Sequence, residues 1–391
     1  MTSRSFLLTS AVCLLPFVAV AQQAPPVAGG GRGAGRGQTV SPEVRADGTI
    51  TFRFNAPNAR EVTLIGELDG KTHPMSRNGA GVWEVTVGPW PPDVYAYQFR
   101  VDAVDGRGGV IAMDPANPSV KLGFGGFPPA NLVEVPGAAG LEFDDAKNVP
   151  HGTVRIETYH SRTLGVPRTV WIYTPPGYDT SNTRYPVFYL LHGSGNIESS
   201  WMLTGRANLI LDNLIAEGRA RPMIIVNPFG YARQGVGLGP EMTAPTSSPD
   251  ATFAQDLLKD VIPFVEKKFR TLPGADHRAL GGLSMGGGQT IAIGFSNPDI
   301  FHSLVIMSSA AVAADGAVNA YPAFFTPAIN KKIKLLWIGV GKDDALLSGS
   351  RALDAALTAN GVNHIFRMTE GRHEWVVWRH HLREVAPLLF R

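Results

Sequence analysis

The string Gly281-Gly282-Leu283-Ser284-Met285-Gly286-Gly287-Gly288 holds the chain's single Gly-x-Ser-x-Gly. A serine hydroxyl attacks a carbonyl well only when it is lifted clear of its own backbone and set beside a base. A tight turn from strand into helix does the lifting, and it needs small residues two positions either side, where a Cβ would collide. Gly282 and Gly286 meet that need. His277–Leu280 reads as a strand and Gln289–Phe295 as a helix, which is the context the turn requires. The helix N-terminus would direct backbone N–H groups at developing negative charge.

Acyl transfer also needs a base, a group to orient it, and donors for the oxyanion. On an alternating strand–helix scaffold the chain order is Ser, acid, His, with acid and base just past late strands. The apolar run Leu335–Val340 leads into Gly341-Lys342-Asp343-Asp344, where one carboxylate can be the acid and the other a helix cap. Five histidines follow Ser284. His302 and His364 fall on or beside strands, and His380 and His381 lie in the last helical stretch and are expected to face outward. His373, in the loop Glu370–Glu374 after the last strand, stands where the base belongs. The expected oxyanion donors are the N–H groups of Met285 and of Ser194, in the loop that follows Val187–Leu191, with Gly195 next. His192 reads as structural. Trp201, Phe229 and Tyr231 are candidates for an apolar slot. The histidines are scattered, so no metal and no cofactor are expected.

Those residues need a scaffold. The chain has 391 residues, 44% hydrophobic and 17% charged, enough for a substantial core and for more than one domain. A net charge of +2 gives no basis for binding nucleic acid. Residues 1–21 read as a signal peptide: Arg4, the apolar stretch Phe6–Val20, and the small-residue site Ala19-Val20-Ala21. Secretion or a periplasmic location is expected, with no membrane attachment of the mature form. The only cysteine, Cys13, falls inside that segment, which leaves the mature chain without thiols or disulfides. Residues 22–39, rich in Gly, Pro and Arg, read as a flexible tether. Residues 40–136 alternate in short runs between turn residues, the pattern of a small all-β sandwich. Its aromatics Trp83, Tyr95, Tyr97 and Phe99 read as core, and Trp90, between prolines, as a surface candidate. Residues 137–150 read as a linker. From 151 to 391 strands and helices alternate. An antiparallel opening pair and six short apolar strands fit a mostly parallel α/β-hydrolase sheet.

Four segments together resemble the esterase D / carbohydrate esterase family 1 group: Leu191–Gly195, Leu280–Thr290, Gly341–Asp344 and Gly371–Arg379. That group includes feruloyl and acetyl xylan esterases, enterochelin-esterase-like proteins and mycolyltransferases. The run Val87–Asp102 with Asp114–Pro118 resembles early-set immunoglobulin-like modules related to glycogen-binding domains. The resemblance implies an α/β-hydrolase domain behind an immunoglobulin-like sandwich. It selects Asp344 over Asp343, matches His373 to Gly-x-His-x-Trp, and adds Gln289 and Trp375 to Gly195, Trp201, Phe229 and Tyr231 as candidate substrate contacts. Glu374 stands where a small polar residue is usual, and a carboxylate beside the base is expected to raise its pKa. The implied substrate is an ester on plant cell-wall oligo- or polysaccharide, feruloyl first. Acetyl xylan, siderophore-ester and sugar acyltransfer chemistry are the alternatives, as is glycan binding by the module. Oligomeric state is not legible.

Overall fold

Period-two alternation between turn residues produces two small antiparallel sheets at the N-terminal side. The computed structural model describes residues 40–102, 108–137, 142–232, 249–309 and 314–391. The expected signal peptide and tether, with Cys13, lie outside the described residues. The strands of this part are β1 (Glu43–Val44), β2 (Ile50–Asn55), β3 (Val62–Gly66), β4 (His73–Pro74), β5 (Ser76–Arg77), β6 (Val82–Val87), β7 (Asp93–Val101), β8 (Val110–Ala112), β9 (Val120–Lys121) and β10 (Ala130–Val135). One sheet runs β1-β2-β6-β5, the other β4-β3-β7-β10-β9 with β8 beside β7. Phe52, Trp83, Tyr95, Tyr97 and Phe99 fill the shared core, where the Phe52 and Tyr97 rings lie 4.6 Å apart. Trp90 is half-buried, its ring 6.2 Å from that of Tyr95.

The second part is a single eight-stranded sheet in the order β11-β12-β14-β13-β15-β16-β17-β18. Its strands are β11 (Thr153–Ser161), β12 (Val166–Thr174), β13 (Val187–Leu191), β14 (Ile224–Pro228), β15 (Arg278–Leu283), β16 (Ser303–Met307), β17 (Leu335–Gly341) and β18 (Ile365–Thr369). β11, β12 and β14 pair antiparallel, and the remaining pairings are parallel. Parallel strands joined by crossover helices have both faces covered, so they read as unbroken apolar runs. Every residue of β13, β14 and β16 is buried.

Helices α1 (Ser200–Leu203), α2 (Ala207–Ala216), α3 (Pro249–Asp256), α4 (Ile262–Lys268), α5 (Met285–Ser296), α6 (Ala314–Ala320), α7 (Leu347–Ala359) and α8 (Trp375–Val385) supply the covers. Residues of α1, α2 and α8 pack on one face of the sheet, and residues of α4, α5 and α7 on the other. Among the described residues no helix is long and apolar enough to cross a membrane.

The two parts belong to one compact unit, Thr39–Arg391. Residues 142–149, read from sequence as part of a linker, are a packed strap. Asn213 Nδ2 donates to the carbonyls of Phe143 (2.8 Å) and Asp145 (2.9 Å), and Asp144 is buried. The strap and the sandwich meet at Arg379 of α8, which is fully buried. Its guanidinium pairs with Asp93 at the start of β7, lies 3.2 Å from Asp144, and donates to the carbonyls of Val94 (2.5 Å) and Thr204 (3.0 Å). Burial works to raise Asp93, but the charge of Arg379 and hydrogen bonds from His380 and Arg379 hold its carboxyl below the ordinary value. Burial raises Asp144. A guanidinium removed from this cluster takes the nearest cation from two buried carboxylates. Arg379→Met is expected to lower the unfolding free energy by about 3–5 kcal/mol. The measurement is the urea midpoint, and an unchanged midpoint would mean the cluster does not hold the two parts together.

Candidate active site

The chain turns sharply between β15 and α5, and Ser284 sits at the turn with φ 51° and ψ −114°. A side chain rarely takes that conformation, and it costs roughly 1–3 kcal/mol. The surrounding structure enforces it. Ser284 N–H donates to the Met307 carbonyl at 2.9 Å, and Gly288 N–H to the Ser284 carbonyl at 3.0 Å. The two glycines permit it. A Cβ on Gly282 would lie 2.6 Å from the Gly286 carbonyl carbon, and one on Gly286 would lie 2.7 Å from the His192 carbonyl oxygen. Ser284 is half-buried.

The next strands bring the other two groups to the same rim. Asp344 follows β17 and His373 follows β18, and the imidazole Nδ1 lies 3.0 Å from Asp344 Oδ2 and 3.1 Å from Oδ1. The Asp344 side chain is inaccessible, while that of His373 is about one-third exposed. Asp343, one residue earlier, faces solvent. Burial alone would raise the Asp344 carboxyl. Hydrogen bonds from His373 and from Leu346 N–H (2.8 Å) outweigh it and hold the group below the usual carboxylate range. An ionised acceptor therefore faces Nδ1–H and leaves Nε2 as the free lone pair.

Two residues that the sequence reading did not single out complete the setting. Ser308, just past β16 with φ 47°, accepts from Trp378 Nε1 at 3.0 Å and contributes a hydrogen bond to Asp344. The Trp378 ring stands edge-on to the His373 ring at 5.0 Å. Ser308 thus links the acid–base pair to Met307, the residue that anchors Ser284. Among the described residues no hydrogen bond joins the Ser284 hydroxyl to the imidazole. In free enzymes such contacts commonly tighten only when substrate arrives. Trp378 repeats the spacing of Trp375 by one helical turn, a signal that could have been read, whereas nothing marks Ser308.

The loop Gly193–Asn196 passes beside the serine. A Cβ on Gly193 would lie 3.2 Å from Ser284 Cβ. Ser194 is exposed there, and Met285 opens α5. Gly195 N–H is already engaged, donating to Tyr231 Oη at 2.8 Å. Tyr231, Phe229 and Phe124 form an aromatic cluster against this loop, with ring centroids 4.8–5.3 Å apart, and Phe124 comes from the sandwich. Arg168, ion-paired to buried Asp256 at 3.4 Å, donates to the Phe229 carbonyl.

Three of the candidate substrate contacts need correction. Trp201 and Trp375 are fully buried, packed edge to face at 5.2 Å, with Trp201 Nε1 donating to the Leu191 carbonyl at 2.9 Å. They support the sheet and offer no surface. Gln289, also buried, donates to the Gly230 carbonyl at 2.8 Å and holds that loop. His381 likewise points inward, its Nε2 2.9 Å from Thr369 Oγ1, and His380 reaches Asp93 at 3.1 Å. The Glu374 carboxylate turns back to Arg372, 3.2 Å from both its N–H and its guanidinium. Burial, ahead of every other influence, raises its pKa.

His192 secures the base of the Ser194 loop. Nδ1–H donates to the Gly193 carbonyl at 2.9 Å, and Nε2 accepts from Gly230 N–H at 2.9 Å. Burial pushes its pKa down to about 4. An unfolded histidine takes up a proton near pH 6.5, so between these values the unfolded chain holds the extra proton and stability falls as pH falls. By pH 5 this amounts to about 2 kcal/mol. His192→Gln is expected to show a flatter dependence of unfolding free energy between pH 6.5 and 5 than the native chain. Parallel dependences would contradict a buried neutral imidazole.

Comparison with known proteins identifies the family of each part. A family model described as putative esterase matches residues 161–389. A second, carbohydrate-binding module 48 (isoamylase N-terminal domain), matches residues 37–116. An endo-1,4-beta-xylanase/feruloyl esterase of Xylanibacter ruminicola is 30% identical over 358 residues, covering 90% of this chain and 46% of that protein. The chain therefore spans less than half of that relative. A ferulic acid esterase of known structure superposes with a TM-score of 0.54 at 25% identity, over 62% of this chain and 99% of that one. The enterochelin esterase of Shigella flexneri superposes with a TM-score of 0.65 at 18% identity, over 89% and 94% of the two chains, a likeness of fold. With 229 residues matched, from 161 to 389, the chain belongs to the putative esterase family, its main domain is that of a carboxylic ester hydrolase, and a carbohydrate-binding module 48 stands in front of that domain.

Proposed function

We propose that the protein is a serine esterase acting on feruloyl esters of plant cell-wall polysaccharide or oligosaccharide. The observation that carries this reading is the Asp344–His373 pair at 3.0 Å, set on the strands that follow the one bearing the Ser284 turn. Ser284 Oγ attacks the ester carbonyl as His373 Nε2 takes its proton. Asp344 holds the imidazole in the Nδ1–H tautomer and stabilises the imidazolium. The N–H groups of Met285 and Ser194 receive the oxyanion. His373 then protonates the departing alcohol, and water, activated by the same imidazole, releases the acid. The sheet order agrees with an α/β-hydrolase, and the two antiparallel sheets in front of it with an immunoglobulin-like sandwich. The choice of ferulate is supported by the likeness to the Xylanibacter endo-1,4-beta-xylanase/feruloyl esterase and to the solved ferulic acid esterase. Secretion or a periplasmic location rests on the Arg4 and Phe6–Val20 pattern.

Turnover of methyl ferulate, a 4-nitrophenyl acetate and a catecholoyl-serine ester by the native chain and by Ser284→Ala tests this reading. Ferulate is expected to lead the panel, and Ser284→Ala to lose about 10⁴-fold or more in kcat. A Ser284→Ala protein with near-native turnover would refute the mechanism, and preference for the acetyl or catecholoyl ester would move the substrate.

A further inference from the structure

The loop after β13 carries Ser194 between two glycines, Gly193 and Gly195, the second with φ 77°. Glycine on both sides leaves a backbone N–H free to turn away, whereas an oxyanion donor must be fixed before the reaction begins. The backbone groups around Ser194 are held one by one. The Gly193 carbonyl accepts from His192 Nδ1–H at 2.9 Å and from Asn196 N–H at 3.2 Å. The Ser194 carbonyl accepts from Asn196 Nδ2 at 3.3 Å. Gly195 N–H donates to Tyr231 Oη at 2.8 Å, and the Gly195 carbonyl accepts from Phe124 N–H at 3.1 Å. Among the described residues, the run from the Gly193 carbonyl to the Gly195 carbonyl leaves only the Ser194 N–H without a partner. A trans peptide is planar, its N–H opposed to its carbonyl. Fixing the Gly193 carbonyl therefore sets the line of the Ser194 N–H, and fixing the next two peptides stops the loop from rotating out of that line.

We propose that Tyr231 is a positioning residue for the oxyanion site: its hydroxyl and the sandwich's Phe124 N–H clamp Gly195 from two sides and so aim the Ser194 N–H at the reacting carbonyl. The inference deepens the esterase reading and rests on it. Gly195 is buried, so without Oη its N–H is a donor that must find another acceptor. Turning the Ser194–Gly195 peptide to find one carries Ser194 with it. A wall for an acyl ring needs the Tyr231 ring and makes no demand on its oxygen, yet the oxygen is engaged with the backbone. The ring itself is held by Phe124 at 4.8 Å, Phe229 at 5.3 Å and His192 at 5.5 Å, which fixes where Oη stands. Phe124 lies in the sandwich loop after β9, so the front module supplies part of the clamp.

Tyr231→Phe removes the oxygen and keeps the ring. Its kcat on methyl ferulate and on 4-nitrophenyl acetate is expected to fall by the same factor, about tenfold, with KM unchanged on both. A native kcat overturns the inference, and so does a rise in KM confined to the ferulate, which would make Tyr231 a slot wall. Hydrogen-exchange mass spectrometry of the 192–197 loop in the full chain reads the clamp without catalysis. Faster exchange in Tyr231→Phe than in the native chain supports it, and equal exchange overturns it. A native chain that cleaves neither ester rejects the esterase reading, and the exchange rates then decide the clamp by themselves. If Tyr231→Phe keeps full activity while Ser284→Ala has none, the clamp fails and the esterase reading stands.

Discussion

Arg379 carries a full charge at a point where no water reaches it, and the architecture around it is a response to that fact. A buried guanidinium is tolerated only with its donors filled and its charge matched. Asp93 of the sandwich, Asp144 of the strap and the carbonyls of Val94 and Thr204 do this together. No single segment of the chain could supply the set. The charge on α8 therefore draws a sandwich strand and the strap to one place. The helix that it fixes begins at Trp375, two residues after His373. The contact is continued along the loop itself, where the Arg372 guanidinium donates to the Glu67 carbonyl at 3.4 Å and Val376 packs against the sandwich core. The module that matches carbohydrate-binding module 48 is in this way part of the support for the loop that bears the proposed base.

The rim of the sheet works by the same logic of neighbours. β15, β16, β17 and β18 are adjacent and parallel, so their C-terminal ends emerge side by side. Ser284, Ser308, Asp344 and His373 each follow one of them. Positive φ at Ser284 and Ser308 marks two places where the backbone is held against its own preference, and both lie at this rim. Strain of that kind persists only where packing over-determines the conformation, and here the sheet hydrogen bonds and the crowding at Gly282 and Gly286 provide it.

Much of this was legible beforehand because the physics is local. Unbroken apolar runs announce buried parallel strands, and alternation announces the sandwich. A glycine two positions either side of a serine announces a turn that nothing larger would permit. The errors came where local pattern is silent about direction. Trp201, Trp375 and Gln289 sit near the proposed nucleophile in sequence motif or in space, yet their side chains point into the core, because a helix beside the site buries one face and presents another. His381 differs from its expected outward direction for the same reason: it occupies the buried stripe of α8, against Trp337.

The amino-acid sequence by itself determined the Ser284 turn, the identity of the eight sheet strands, an all-β part ahead of an alternating α/β part, and the short set of residues able to act as acid and base. Those follow from spacing, from glycine's missing side chain and from hydrophobic period, all of which operate over a few residues. Only the tertiary structure decided the order of the strands within the sheet, that Ser308 and Trp378 brace the Asp344–His373 pair, and that Glu67, Lys121 and Phe127 of the sandwich share a cavity with Ser194. These depend on contacts between segments tens to hundreds of residues apart, which cooperative packing of the whole chain selects and no window of sequence contains.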